Sequence, residues 1–415
     1  MKRRNLIIII SICVLVVAIG VYAYFALTKT EETTDAGLTT PVVGTEDVSV
    51  RLSSEEVQAG KTRDKKESEI VSEQNPRRAG MEDVQTVTIR KILSTEILKP
   101  TMSKDLQKIL FFNKELEEFY QINPDGSNEE SISSAGFNNV FDLSWGLSKD
   151  RAIIYFSGDQ GISKRLIAFN LNDQSYNNLG DNVTDAALSP NGEKIVYLYT
   201  DQEKGVSNIS TANFDGSKWK IVYPFDQNEV SLSWPDAFRF FVSGDATSYG
   251  SGSLYEVDTE GGDFKTLVGD VYGLSYKVSP DGKKVIYTAS SEPRAKELYL
   301  YVTDIEGKEH KDLDIATMTE KCTFAQDNRT VYCAVPKKGN QDFVLPDDYN
   351  DEKYITADSF YRIDTETGVK EKLADVDDFS SMYDAVDPFI SESGRTMYFK
   401  RRQDNMLYAL IVPAN

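Results

Sequence analysis

One nine-residue phrase occurs twice in the chain. Ser189-Pro190-Asn191-Gly192-Glu193-Lys194-Ile195-Val196-Tyr197 is answered by Ser279-Pro280-Asp281-Gly282-Lys283-Lys284-Val285-Ile286-Tyr287. Weaker copies begin at Ser103, Ser148, Trp234, Ala325 and Ser391, so successive starts lie 45, 41, 45, 45, 46 and 66 residues apart. A repeat restricts a fold more than composition does, because every copy must take one local structure and bury its apolar face on its neighbours. Here Asn-Gly or Asp-Gly supplies the positive φ of a tight hairpin turn. The β-branched and aromatic run after it reads as a strand. A second strand follows about ten residues later, as at 118–122, 166–170, 208–213 and 298–303. Most of these end in another turn, such as Asp215-Gly216 or Glu306-Gly307, and a last short strand follows.

Four short antiparallel strands per period near 45 residues form one blade of a β-propeller. The fold class expected is therefore all-β: a seven-bladed propeller over 84–415, with six blades plus an irregular segment as the alternative. The last unit runs one strand short. Residues 84–92 (VQTVTIRKI) read as a strand without a blade, and are expected to supply the missing strand and close the ring. The phrases SPDGKKVIYTAS at 279–290 and SPNGEKIVYLYT at 189–200 resemble the TolB-type, WD-repeat-like propeller family. The resemblance covers about 84–415 and implies the ring fold. The α/β domain that precedes the propeller in TolB has no counterpart expected here.

The other end of the chain carries a membrane signal. Lys2, Arg3 and Arg4 precede an uncharged apolar run of 22 residues that opens at Leu6 and closes at Leu27. About 20 helical residues cross a hydrocarbon core, and flanking positive charge holds its end in the cytoplasm. Residues 1–28 are thus expected to be a transmembrane signal-anchor with the propeller outside. Cleavage after Val21-Tyr22-Ala23, giving a secreted protein, is the alternative. Residues 29–83 lack aromatics and are rich in Thr, Ser, Glu and Lys, which reads as a disordered, flexible linker.

Composition narrows the function. There are 46 basic and 66 acidic residues, a formal charge of −20, which argues against a nucleic-acid partner. One histidine, His310, makes a histidine metal site or a Ser-His-Asp triad a poor fit. Three cysteines are too few for an all-cysteine zinc site. Cys322 and Cys333 flank one hairpin turn and are a candidate disulfide in an exported domain. The spacing of 66 conceals an insertion of about 20 residues near 336–358. Its Phe343, Leu345, Asp347, Asp348, Tyr349 and Tyr354 are a candidate partner-binding loop; the alternative is a loop folded back over its neighbours. Lys400, Arg401 and Arg402 are the one basic cluster of the repeat region and a candidate contact for an anionic group. No cofactor, metal or catalytic residue is expected. The expectation is a membrane-tethered, extracytoplasmic, non-catalytic scaffold that binds a protein, peptide or cell-envelope polymer. A small-ligand-binding ectodomain, or a propeller hydrolase or lyase, is the alternative.

Overall fold

The computed structural model describes residues 50–52, 87–158, 164–225, 230–244, 246–262, 264–338 and 342–412. The repeated phrase explains itself in hydrogen bonds. Ser189 Oγ accepts from the Lys194 amide at 2.9 Å and donates to Asn191 Oδ1 at 2.8 Å. Ser279 does the same with Lys284 at 2.9 Å and Asp281 at 2.7 Å. Gly192 and Gly282 both take φ +72°, and a Cβ on Gly282 would sit 3.0 Å from the Pro235 carbonyl oxygen of the neighbouring turn. Copies that lost the serine replace it. Asp327 accepts from the amides of Arg329 and Thr330, and Asp236 from those of Phe238 and Arg239.

Each turn launches antiparallel strands laid down in chain order. Among the described residues they make five four-stranded sheets, one seven-stranded sheet and a two-stranded pair. We number the six larger sheets I to VI by their first strands. These are Ile97–Met102 (I), Val140–Trp145 (II), Val183–Leu188 (III), Val230–Ser233 (IV), Cys322–Phe324 (V) and Ala385–Ile390 (VI). Sheet IV has seven strands because Phe264–Val278 is long enough to pair with Gly252–Asp258 at one end and Lys284–Ser290 at the other. Residues 272–278 therefore serve as a first strand for the second half of that sheet. In sheet VI the fourth strand is Thr88–Lys91, paired antiparallel with Met406–Ile411 from the other end of the domain. Ala385–Ile390 lies against both Cys322–Phe324 and Ile97–Met102, so the last sheet neighbours the first. The chain closes on itself as a β-propeller.

The core is a series of apolar layers between adjacent sheets. Between sheets I and II, Phe119, Phe137 and Phe169 are fully buried, with ring centroids 4.9 to 5.9 Å apart. Burying a side chain of this size contributes about 1.5–3 kcal/mol. Between sheets V and VI, Phe360, Phe399 and Leu410 play the same part with Ile89 of the closing strand.

Two expectations about the N-terminal part meet the structure differently. Val50–Leu52, inside the stretch read as a linker, is a short strand paired with Ala135–Phe137, so that stretch is not wholly without structure. Ala135–Phe137 follows directly on sheet I and offers the open backbone edge that such a segment can join. The apolar run from Leu6 to Leu27 lies outside the described residues. Among the described residues no helix is long and apolar enough to cross a membrane.

Candidate functional site: the axial opening beneath the insertion

First strands line the axis, and five of them are irregular there. The pairing register shifts between Leu98 and Thr101, Val140 and Asp142, Val183 and Asp185, Val386 and Phe389, and, on the shared strand of sheet IV, Tyr272 and Ser275. A bulge re-aims the side chain it carries. The charged residues at or beside the first four are Lys99, Asp142, Asp185 and Asp387. Lys99 and Asp387 take φ of +42° and +50°, a conformation costly for residues with a Cβ. Pro100 and Pro388 follow them, where the ladder is broken and no amide donor is needed. The Trp145 indole donates to the Lys99 carbonyl oxygen at 2.8 Å and steadies the bulge.

These side chains form a charged chain across three sheets. Lys99 Nζ lies 3.3 Å from Asp142 Oδ1 and 3.7 Å from Asp387 Oδ1, and Lys400 Nζ lies 3.0 Å from Asp387 Oδ2. Burial works against the Asp387 carboxylate, but Lys99, Lys400 and Lys277 outweigh it and hold its pKa at about 2. Asp387, in turn, holds the Lys99 ammonium above its usual range against the cost of burial. Further round the ring Asp185 accepts from Tyr155 Oη at 2.7 Å and the Leu232 amide at 2.6 Å, stapling sheets II, III and IV. Burial pushes its pKa up to about 6 against those bonds.

Two groups at the opening have no ion pair among the described residues. Lys277, on the shared strand of sheet IV, donates from Nζ to the Cys322 carbonyl oxygen at 2.8 Å. Burial brings its pKa down to about 8, with Asp387 opposing and Lys99 adding to the effect. Glu320 sits in the short turn Thr319–Lys321, two residues before that carbonyl. Burial raises its pKa, with Lys321 and Arg402 pulling the other way.

Beside this opening the insertion is fixed by a buried ion cluster. It occupies residues 337–357, between the second strand of sheet V, Thr330–Pro336, and the third, Asp358–Asp364. Lys321 is wholly buried and donates to Thr356 Oγ1 (2.8 Å), Asp358 Oδ2 (2.8 Å) and Asp384 Oδ1 (2.6 Å). Tyr349 Oη also donates to Asp384 Oδ1, at 2.6 Å. Burial disfavours the charged amine, but Asp358, Tyr349 and Asp384 more than compensate and keep Lys321 protonated.

The expected partner-binding loop is thus largely an internal brace. Leu345 and Tyr349 are buried against Leu298, Met318 and Val386. Asp347 accepts from the amide of Ser248 at 2.6 Å and from its hydroxyl. Asp348 accepts from the Val344 amide and pairs with Lys353. Phe343 and Tyr354, stacked at 5.0 Å, are half-exposed, as are Asp347 and Asp348, and Ile355 is exposed.

The basic cluster is dispersed as well. Lys400 pairs with Asp387, Arg401 with Asp404, and the Arg402 guanidinium lies 3.9 Å above the Tyr349 ring while donating to the Tyr349 carbonyl oxygen. A run in sequence becomes three side chains with separate tasks because alternate residues of a strand face opposite sides. Cys322 and Cys333 stand opposite each other in register and are bonded. His310 is an exposed turn residue whose Nδ1 lies 2.9 Å from Tyr287 Oη, between strands Tyr299–Asp304 and Lys311–Ala316. A groove of about 640 Å³ lies at the rim, beside Glu292, Arg294, Glu297 and Lys338, and Lys338 and Glu297 pair across it at 3.1 Å. Among the described residues no three His, Cys, Asp or Glu side chains gather where they could hold a metal ion.

No family model matches the chain, and no curated protein matches it in sequence. Solved structures do match in shape. An oligogalacturonate lyase in complex with manganese is similar over 80% of this chain and 95% of its own, with TM-score 0.56 and 11% identity. An oligogalacturonate lyase from Vibrio parahaemolyticus is similar over 80% of this chain and 96% of its own, with TM-score 0.56 and 10% identity. TolB from Acinetobacter baumannii is matched over 68% of this chain and 64% of its own, with TM-score 0.42 and 14% identity.

Likeness at such identity is likeness of fold. It nonetheless corrects one expectation. The chain was expected not to be an enzyme because it carries no catalytic motif, yet the folds it matches over most of their length are those of lyases. A propeller assembles its axial side chains from distant strands, so a missing linear motif does not argue against chemistry. A manganese ion does not fit the donors here: Asp142 and Asp387 are already paired to lysines, and among the described residues no group of three His, Cys, Asp or Glu side chains is placed to hold a metal ion.

Proposed function

We propose that the chain is a seven-bladed propeller of TolB-like build, anchored N-in through the run from Leu6 to Leu27 and displayed outside the membrane. It engages a protein, peptide or envelope-polymer partner on the face that carries the insertion. Sheet IV supports that count, since dividing it at its shared strand makes two four-stranded units of seven strands. One observation supports the choice of face. The insertion is held by the Lys321–Asp358–Asp384–Tyr349 cluster and presents Ile355, 55% exposed, with half-exposed Phe343 and Tyr354 from a rigid base. A preorganised surface loses little entropy on binding.

A photo-reactive residue at Ile355, compared with one at Phe238 on the opposite face, tests this in intact cells. Adducts from Ile355 alone are expected; equal labelling from both positions would refute the choice of face. Protease added to whole cells should degrade the propeller, and protection until the membrane is broken would refute the placement outside.

A second reading is turnover in the axial opening. The observation favouring it is that Lys277 and Glu320 are both moved towards neutrality from opposite sides, a pattern common where proton transfer occurs. The two lyases of similar fold act on oligogalacturonate, which is therefore the first substrate to try. Formation of an unsaturated product, seen by ultraviolet absorbance, would support this reading, and an unchanged substrate would count against a lyase of that specificity.

A further inference from the structure

The brace beneath the insertion holds one amine and two carboxyl groups, and all three side chains are fully buried. They come from three places in the fold. Lys321 immediately precedes the first strand of sheet V, Asp358 opens its third strand, and Asp384 immediately precedes the first strand of sheet VI. Lys321 Nζ lies 2.8 Å from Asp358 Oδ2 and 2.6 Å from Asp384 Oδ1. The two carboxyl groups are satisfied unequally. Asp384 accepts from Lys321 and Tyr349 on Oδ1, and from the Thr356 amide on Oδ2 at 3.0 Å. Asp358 accepts on Oδ2 from Lys321 and from the Ala385 amide, each at 2.8 Å, while its buried Oδ1 has no hydrogen-bond partner among the described residues. One ammonium beside two carboxylates would bury a net negative charge, which is costly. The proton that neutralises the cluster belongs on the orphaned Oδ1 of Asp358, because donors on both oxygens hold Asp384 as a carboxylate. Titration agrees in direction. Burial raises the Asp358 carboxyl against the pull of Lys321, whereas at Asp384 burial is outweighed by Lys321, Tyr349 and the Thr356 amide, which hold it low.

We infer that the folded chain joins Lys321 to Asp358 through an intramolecular amide bond, with Asp384 carrying the protons. The step releases one water and needs neither oxidant nor cofactor. Asp384 takes a proton from the ammonium. The freed Nζ lone pair forms the C–N bond to Asp358 Cγ, and the carbonyl π pair moves onto Oδ2, towards which the Ala385 amide already donates. Asp384 passes its proton to the Oδ1 hydroxyl, which leaves as water while the pair on Oδ2 re-forms the carbonyl. The surplus proton on nitrogen returns to Asp384. A neutral cluster thus yields a neutral amide, a water and a protonated Asp384. Condensation is unfavourable between free groups in water, but here the reactants are held in contact and bulk water is excluded. The Tyr349 ring, its centroid 5.1 Å from Nζ, covers the amine. The bond ties the first strand of sheet V to the third, as the disulfide ties the first to the second. The inference does not rest on the choice of binding face, since a chain without the bond keeps the ion pair and the brace.

Peptide mass spectrometry of the purified, folded full chain, reduced and digested with trypsin, tests this. Trypsin does not cut after an acylated lysine. Residues 312–329 should therefore stay in one piece, joined to residues 354–362, and the product should be lighter than the two together by one water, about 18 Da. Lys321→Arg keeps the charge but cannot form the bond, and should give no linked product. Asp384→Asn removes the proton carrier and should slow bond formation about a hundredfold. Should either variant fail to fold, wild-type chain recovered unfolded in urea serves instead: it should lack the bond and gain it only after refolding. Cleavage after Lys321 in the folded wild-type chain, with both peptides at ordinary mass, would overturn the inference. So would undiminished bonding in Asp384→Asn, or a product in which residues 312–329 are joined to 373–395, the peptide that carries Asp384.

Discussion

Lys321 and Lys277 sit on neighbouring elements of one propeller face and show two ways of burying an amine. Lys321 has two carboxylates, a threonine hydroxyl and a backbone carbonyl around it, and stays charged. Lys277 has a single carbonyl and no counter-charge in contact, and burial brings its pKa down to about 8. The first arrangement fixes a loop, and the second leaves an amine that is easier to deprotonate. The chemistry of a buried lysine is thus set by how completely its neighbours satisfy it, more than by depth alone.

The comparison can be broken most severely at Lys321. Replacing it with Met leaves Asp358 and Asp384 buried without their cation, and should cost about 3–5 kcal/mol. Chemical denaturation would register this as a lowered midpoint, and limited proteolysis should now cut within 337–357. A loss under about 1 kcal/mol would show that the cluster does not brace the insertion. Removing the disulfide with Cys322→Ser and Cys333→Ser together should cost about 2–3 kcal/mol through release of a short loop. It should also loosen the carbonyl that holds Lys277.

The next effects depend on pH and have opposite signs. Asp387 titrates near 2 when folded, below the unfolded value of about 4. Its contribution of about 2 kcal/mol is present above pH 4 and lost as pH falls towards 2. Asp185 titrates near 6, above its unfolded value. It therefore destabilises the folded state above pH 6, and stability should rise by about 2 kcal/mol as pH falls from 6 to 4. Unfolding midpoints against pH should lose the 4-to-6 rise in Asp185→Asn alone; retention of the rise would assign it elsewhere. The smallest effect is sharpest in meaning. Tyr349→Phe removes one hydrogen bond to Asp384 and should cost about 1 kcal/mol. A larger loss would mean that the ring's stacking with Arg402 fails as well.

The ring and its closure are legible in the repeat. Ser-Pro-Asn/Asp-Gly fixes each hairpin, and VQTVTIRKI announces an unpaired strand whose partner can only be the incomplete last unit. The axial site is not legible in the same way. Lys99, Asp142, Lys277 and Asp387 lie on different strands far apart in sequence, and closing the ring is what brings them together. A local clue existed in Lys99-Pro100 and Asp387-Pro388, since a proline within a strand marks a bulge and a bulge redirects its side chain. Conversely, Leu345 and Tyr349 look like docking residues only because composition does not reveal direction. Their buried partners Leu298, Met318 and Val386 come from three other segments.

The pairing of Thr88–Lys91 with Met406–Ile411 has a consequence for biogenesis. The strand made first in this domain has to wait for the strand made last, so the circle cannot be completed until the whole chain has been synthesised. Until then the early sheets present a bare edge, and an unpaired strand edge is a template for aggregation.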